Sequence, residues 1–262
     1  MSAPTPLLSH LIELRGRVMR AGLVWMLATG LCYLFAADIY QFFLRPLVGV
    51  LGEDSAHRLI ATSLPETFVT YLKLALYGGF FVAFPYIAAE AYLFLAPGLF
   101  KHERRLIAPY LILAPLLFFL GAAMAYIFVM PKAFAFFLSF EVPRGADGAL
   151  PLVVEAKVSE YLGLVMHLVL AFGLAFQLPI ILTLLVRFGL MRTDTLARGR
   201  RYAVVILLTI AAFITPPDIL SQVLLFIPLY ALYEISILIG RLIEKRRRGE
   251  KVSEVEPAAG LP

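Results

Sequence analysis

Long apolar runs separated by short charged segments dominate the chain, and this pattern predicts helices that cross a membrane. Most runs are long enough to cover a hydrocarbon core of roughly 30 Å at about 1.5 Å per residue. We therefore predict an all-α, polytopic membrane protein with a single membrane domain at residues 1–240. Its six transmembrane helices are expected at residues 18–38, 67–94, 106–130, 160–186, 202–214 and 219–240.

The segments outside these spans predict further features. Residues 39–66 and 131–159 mix apolar and polar residues with Pro and Gly, which predicts two structured caps on one side of the membrane. Prolines in or beside most spans predict bent helices and a curved bundle. The segment 241–262 is charged and then rich in Pro and Ala, which predicts a disordered tail.

Positive charge is unevenly divided between the two sides of the predicted membrane. Seventeen Lys and Arg residues lie on the side that carries both termini, five lie on the other side, and Lys73 lies inside the second span. Cytoplasmic segments carry the excess of Lys and Arg, so both termini are predicted to be cytoplasmic. The net charge of +5 arises from basic residues concentrated in these segments. Because membrane topology explains this charge, we expect no nucleic-acid partner.

Composition and motifs disfavour an enzyme. The chain is 61% hydrophobic and 16% charged, and its single Cys allows no internal disulfide. It shows no phosphate-binding loop, no nucleophile motif and no metal-ligand spacing among its four His residues. We expect no catalysis, no metal and no cofactor, so work must come from binding energy or from the membrane potential.

Two glutamates near the ends of predicted spans are candidate binding residues. Glu13 lies in an amphipathic segment before the first span, and Glu103 lies in the basic stretch KHERR after the second. Each has an ordinary explanation, because Glu13 is four residues from Arg17 and Glu103 has cationic neighbours. Both lie on the same predicted side, however, and two carboxylates could bind two cationic groups of a partner, with arginine favoured.

Four motifs, HLIELRGR, FLAPGLFKHERR, LAFQLPI and TPPDILSQ, resemble in order and spacing the TatC family of twin-arginine translocase subunits. The resemblance extends from about His10 to Arg241. It implies a receptor in the bacterial cytoplasmic (inner) membrane that binds signal peptides with paired arginines. It also implies single-span partners like TatA and TatB, a homo-oligomeric receptor complex, and export of folded proteins driven by the proton-motive force.

The resemblance also implies roles for individual residues. Glu13 and Glu103 would hold the paired arginines. The residues of the motifs around that site are Arg17, Phe94, Leu99 and Lys101, with Arg15 and Pro46 as further motif positions. Gln177 departs from the family, which often has glutamate there, and a neutral amide cannot carry a proton.

The short fifth span ends at the turn TPPD, where Asp218 is a candidate N-cap for the sixth span. A glutamine that faces lipid is costly unless something bonds it. We therefore predict that Thr215 and Gln222 form a polar patch that docks a single-span partner, and that Gln177 extends it if the fourth span packs nearby. Asp218 adjoins this patch, and for it the capping role is favoured over a partner contact.

Two other functions stay open from the residues alone. A small-solute secondary transporter would use ionisable or polar groups near the midplane, for which Lys73, His167 and Gln177 are candidates. A scaffold would only assemble other membrane proteins. A solute-transport assay in liposomes distinguishes the transporter, and crosslinking of a signal peptide near Glu103 distinguishes the receptor from the scaffold.

Overall fold

The computed structural model describes residues 6–51, 60–61, 63–95, 108–140, 157–214 and 219–255. Within these ranges the chain is almost entirely helical, and one isolated parallel bridge pairs Ile60 with Lys157. A π-helical turn, Ala125–Val129, lies between α4 and α5. The α-helices are α1 Pro6–Leu34, α2 Ala36–Leu51, α3 Leu64–Leu95, α4 Ala108–Met124, α5 Met130–Leu138, α6 Val158–Ala175, α7 Leu178–Arg187, α8 Thr193–Arg198, α9 Arg200–Ile214 and α10 Ile219–Val255.

Within the described ranges the six predicted spans fall on helices, which confirms the all-α membrane fold, but the first predicted span, 18–38, crosses the break between α1 and α2. α1 and α2 together form an apolar pair that is bent by 79°. α9 has only 15 residues and corresponds to the predicted short fifth span. Among the described residues, four stretches are long and apolar enough to cross a membrane, namely Pro65–Phe94, Pro109–Leu138, Val158–Arg187 and Gln222–Lys245.

Two helical stretches extend further than predicted. α10 continues to Val255, whereas the composition predicts a disordered tail after residue 240. The third span continues through the π-helical turn and α5 to Leu138 instead of ending at residue 130. Glu, Lys and Arg are good helix formers, so a charged segment can prolong an apolar helix. Residues 256–262 lie outside the described ranges.

The chain forms two compact units, Met1–Leu170 and Ala171–Pro262. In the first unit α1 and α3 run antiparallel and very close together. A Cβ atom added to Gly79 would lie only 2.7 Å from the Cα atom of Thr29. Small residues allow such close approach, which is the usual way in which helices pack inside a membrane.

Aromatic contacts and tyrosine hydroxyls complete the first unit. The rings of Phe84 of α3 and Phe118 of α4 stack with centroids 3.7 Å apart, and Phe118 is fully buried. Tyr161 of α6 donates a 2.8 Å hydrogen bond to the carbonyl oxygen of Phe43 in α2. α2 therefore gives the first predicted cap an ordered helix that is fastened to the spans.

In the second unit a proline divides the fourth span. Pro179 has no N–H to donate to the carbonyl of Ala175, and α6 ends at Ala175. Gln177 lies in the break between α6 and α7, where its N–H donates to the carbonyl of Leu174 at 3.0 Å. At the start of α8, the backbone N–H of Thr193 donates to Glu244 of α10 at 2.9 Å, so a carboxylate from a distant helix caps α8.

Candidate functional site

The first turns of α1 lie against the last turns of α3, and polar side chains line this contact. The rings of His10 and Phe94 stack with centroids 4.3 Å apart, and Arg17 and Arg20 both reach Glu90. His10 is two helical turns before Arg17, and Arg20 is one turn after it, while Glu90 is one turn before Phe94 in α3, so each set lies on one helix face. The helical period thus assembles a charged strip from two distant parts of the chain.

Glu90 is the centre of this strip and is only 7% exposed. Its Oε1 atom accepts hydrogen bonds from Arg20 Nε at 2.8 Å and from the Tyr86 hydroxyl at 2.9 Å. Its Oε2 atom accepts from Arg17 Nη1 at 2.9 Å and from Arg20 Nη2 at 3.2 Å. These four bonds use about the full acceptor capacity of a carboxylate. A carboxylate inside an apolar helix is costly unless it is paired, so the two arginines allow Glu90 to lie in α3.

Glu13 binds the same Arg17 from the other side. Nε and Nη2 of Arg17 both donate to Oε1 of Glu13, at 3.1 Å and 2.7 Å. Within the described ranges, Oε2 of Glu13 accepts no hydrogen bond. The side chain of Glu13 is 34% exposed, compared with 9% for Glu90. Glu13 is therefore the partly exposed carboxylate of the strip, and Glu90 is the buried one.

A second cluster with the same construction lies in the other unit. Arg200 Nε and Nη2 donate to the two carboxylate oxygens of Glu234 at 2.7 Å and 3.0 Å. The Tyr230 hydroxyl donates to Glu234 Oε1 at 3.0 Å. Tyrosine stands four residues before glutamate here, as Tyr86 stands before Glu90, so one helical turn brings each hydroxyl to its carboxylate.

The two clustered carboxylates, Glu90 and Glu234, were not predicted as site residues. The sequence does contain a signal for Glu90, which is an isolated acid inside the apolar run PYIAAEAYLF with a tyrosine one turn earlier. Such an acid requires a partner inside the protein. The identity of that partner depends on the register between α1 and α3, which the sequence does not contain.

Of the predicted peptide-binding residues, Glu13 and Arg17 are in contact, and Phe94 stacks on His10, which lies one turn before Glu13 in α1. The i,i+4 ion pair expected between Glu13 and Arg17 is present. Arg15 lies on the exposed side of α1, and Pro46 lies inside α2. The other predicted binding residues, Leu99, Lys101 and Glu103, lie outside the described ranges.

Two residues of the predicted docking patch can be located. Gln222 of α10 donates from Nε2 to the carbonyl oxygen of Leu208 in α9 at 3.1 Å, so its amide N–H has a partner inside the protein. Gln177 is 9% exposed and lies at the break in the fourth span. Thr215 and Asp218 lie outside the described ranges, so the patch as a whole stays a prediction.

In the described part of the chain, the charged side chains of the strip and of the second cluster pair with one another. No group of three or more His, Cys, Asp or Glu side chains in that part is placed to hold a metal ion. The charged strip lies where α1, which is part of the bent apolar pair, meets the end of the apolar stretch Pro65–Phe94. These features define a helical, multi-span membrane protein in which the carboxylate of Glu13 is partly exposed, near the place where the start of α1 packs against the end of α3.

Comparisons with known proteins give the family. Residues 9–228 match the family described as Sec-independent protein translocase protein (TatC). The chain belongs to the TatC family. A TatC protein of Rickettsia prowazekii is 47% identical over 238 residues, which cover 91% of this chain and 93% of that protein. A TatC protein of Escherichia coli is 37% identical over 247 residues, which cover 94% of this chain and 92% of that protein.

A solved structure agrees with this assignment. The crystal structure of a twin arginine translocase receptor, TatC, superposes with a TM-score of 0.76 at 36% identity. It covers 90% of this chain and 99% of that chain. Family membership and the apolar helices confirm the predicted multi-pass location in the bacterial inner membrane, and they favour protein transport over the small-solute alternative.

Proposed function

We propose that this protein is the receptor subunit of a twin-arginine export system and binds signal peptides through carboxylates near the start of α1 and the end of α3. The observation that carries the proposal is the state of Glu13. Its side chain is one-third exposed, and one of its oxygens accepts no hydrogen bond from the described residues. A carboxylate with a free oxygen can accept an N–H of a guest guanidinium.

The neighbours of Glu13 suit a signal peptide. His10 lies one turn before Glu13 in α1, and Phe94 of α3 stacks on its ring. An aromatic surface therefore adjoins the carboxylate of Glu13. An arginine guest would pair with Glu13, while an apolar part of the peptide contacts the ring. Glu103 would supply the second carboxylate for the second arginine, and Leu99 and Lys101 would flank it.

Recruitment of partners is the second part of the proposal. Single-span proteins like TatA and TatB would dock against α10 and the TPPD segment before it, through Gln222, Thr215, Gln177 and Asp218. The half-buried Gln222 supports this, because its Oε1 atom accepts no hydrogen bond within the described ranges. Several receptor copies would assemble with these partners. Transport of a folded protein would draw on the proton-motive force, which is worth about 2.3 kcal/mol per charge per 100 mV.

Co-purification with a synthetic twin-arginine signal peptide and its twin-lysine variant tests the receptor function. Wild-type protein should retain the arginine peptide more strongly, since a lysine cannot form two parallel bonds to a carboxylate. Glu103→Lys and Glu13→Lys should abolish retention. Glu103→Gln should weaken it about tenfold, because an amide oxygen still accepts a hydrogen bond.

Glu160→Lys provides a matched control for charge reversal. Glu160 is an exposed residue in the first turn of α6 and takes no part in the strip. This variant should retain the peptide as well as wild type does. Equal retention of both peptides by wild type, or normal retention by Glu103→Lys and Glu13→Lys, would contradict the receptor function.

A further inference from the structure

Arg17 already occupies the carboxylate that the proposed function assigns to a guest arginine. Its Nε and Nη2 atoms donate to Oε1 of Glu13, and its Nη1 atom donates to Oε2 of Glu90. A guest guanidinium that binds Glu13 bidentately needs both oxygens of Glu13. The guest therefore competes with Arg17 for Oε1.

Glu90 can keep Arg17 paired while a guest arginine competes for Glu13. Glu90 and Glu13 carry two negative charges together, and Arg17 and Arg20 balance them, so the unliganded strip is neutral. A guest arginine adds one positive charge at the exposed end. Arg17 can give up Glu13 without losing all its charge pairing, because its bond to the buried Glu90 remains.

We propose that Arg17 is a displaceable internal arginine, which covers Glu13 in the unliganded receptor and turns towards Glu90 when a guest arginine binds. This proposal rests on the receptor function proposed above and adds a competitor to it. Glu90 is then a positioning residue that does not touch the peptide. Its saturated hydrogen bonding and its burial make it a poor site for a guest and a suitable pivot for Arg17.

The displacement has a consequence that a purely structural ion pair does not share. Removal of Arg17 should strengthen peptide binding, because Glu13 loses its internal competitor. The strip should keep its shape in Arg17→Gln, since Glu90 retains its bonds from Arg20 and Tyr86. Glu90→Gln should act in the opposite direction, because Glu13 is then the one charged partner that the described residues offer Arg17, which holds it more firmly.

The test measures the Kd of a synthetic twin-arginine signal peptide for the full-length protein in nanodiscs, at one fixed salt concentration. Arg17→Gln should bind about tenfold more tightly, and Glu90→Gln about tenfold more weakly, which is the change expected for one charge-assisted hydrogen bond. In the double variant Arg17→Gln/Glu90→Gln, the weakening of peptide binding caused by Glu90→Gln should largely disappear, because the two residues act through one contact.

Two further variants keep the test decisive. Arg200→Gln removes the arginine that pairs with Glu234 in the second unit. This variant measures the general effect of losing one positive charge. Its Kd for the peptide should stay within about twofold of the wild-type value. Arg17→Lys keeps the charge, but a compact ammonium cannot hold both carboxylates as the guanidinium does, and it should tighten binding about threefold.

Unchanged or weaker binding by both folded Arg17 variants would overturn the proposal. An equal gain in Arg200→Gln would also overturn it, because the gain would then reflect net charge. Failure of the receptor function looks different, since wild type would then not bind the arginine peptide, or Glu13→Lys would bind it normally.

Discussion

The hydroxyl group of Tyr126 donates a hydrogen bond of 2.7 Å to the carbonyl oxygen of Phe42. Phe42 lies four residues before Pro46, and in an unbroken helix its carbonyl would accept the N–H of residue 46, which proline lacks. The two rings also stack, with centroids 4.5 Å apart and planes within 2°. Pro46 thus frees the acceptor that fastens α2 to the π-helical turn, which gives this motif proline a structural role.

Loss of the Tyr126 hydroxyl should destabilise the protein. Tyr126→Phe leaves the Phe42 carbonyl without either donor and should lower the free energy of unfolding by about 1–3 kcal/mol. Pro46→Ala restores an N–H at position 46, so the double variant should lose less than the sum of the single variants. Thermal unfolding of the purified chain in detergent measures both effects. Tyr33→Phe is the control, since its exposed hydroxyl makes no hydrogen bond with the described residues. Strictly additive losses would show that Pro46 and Tyr126 act independently.

The crossing of α1 and α3 should not tolerate a methyl group at Gly79. A Cβ there would lie 2.6 Å from the backbone nitrogen and 2.7 Å from the Cα of Thr29. Because the obstacle is backbone, the helices must separate, and Gly79→Ala should cost about 1–3 kcal/mol. Thr29→Ala should not rescue it, since that change leaves the backbone in place.

Gly30→Ala is the matched control for the helix crossing. Gly30 is next to Thr29 in α1, and a Cβ there meets no atom within 4 Å. Alanine favours a helix over glycine by up to about 1 kcal/mol, so this variant should be neutral or more stable. Equal melting temperatures for Gly79→Ala and wild type would contradict the close contact.

Hydropathy alone predicts the spans well where polar segments bound them. The prediction of 67–94 for the second span differs from α3, Leu64–Leu95, by three residues or fewer at each end. The bend at Phe35 is missed, because α1 and α2 are both apolar and no proline or glycine marks the bend. The continuation of α10 to Val255 is missed for another reason, since composition cannot separate a disordered charged tail from a charged helix that prolongs a span.

The candidate site could be predicted only in part, because pairing between helices depends on register. The Glu13–Arg17 pair follows from i,i+4 spacing within α1. The bond from Arg17 to Glu90 joins residues 73 positions apart and requires the antiparallel alignment of α1 with α3. Sequence can indicate that Glu90 needs a partner, but it cannot choose between Arg15, Arg17 and Arg20.

Membrane orientation can be tested with single cysteines. The asymmetry of Lys and Arg predicts that residues 1–17, 96–105, 188–200 and 241–262 face the cytoplasm. Cysteines at Ser2 and Ala146 in a Cys32→Ala background should react with an impermeant reagent from opposite sides of the membrane. The parent chain should give little signal, because Cys32 is buried. Labelling of both positions by reagent added outside would contradict the predicted topology.

The predicted docking of a single-span partner depends on Gln222 of α10. Its Nε2 atom donates to the Leu208 carbonyl, which leaves Oε1 able to accept a hydrogen bond from a polar residue of a partner helix. In lipid such a bond has little competition from water, so its loss should matter.

A cysteine at Thr215 should therefore crosslink to a TatA- or TatB-like helix when Gln222 is unchanged. Gln222→Leu should reduce that crosslink and cargo export about tenfold, whereas Thr209→Val, which removes only an intrahelical bond of α9, should preserve both. Normal crosslinking and normal export by the leucine variant would show that Gln222 serves only to hold α10 against α9.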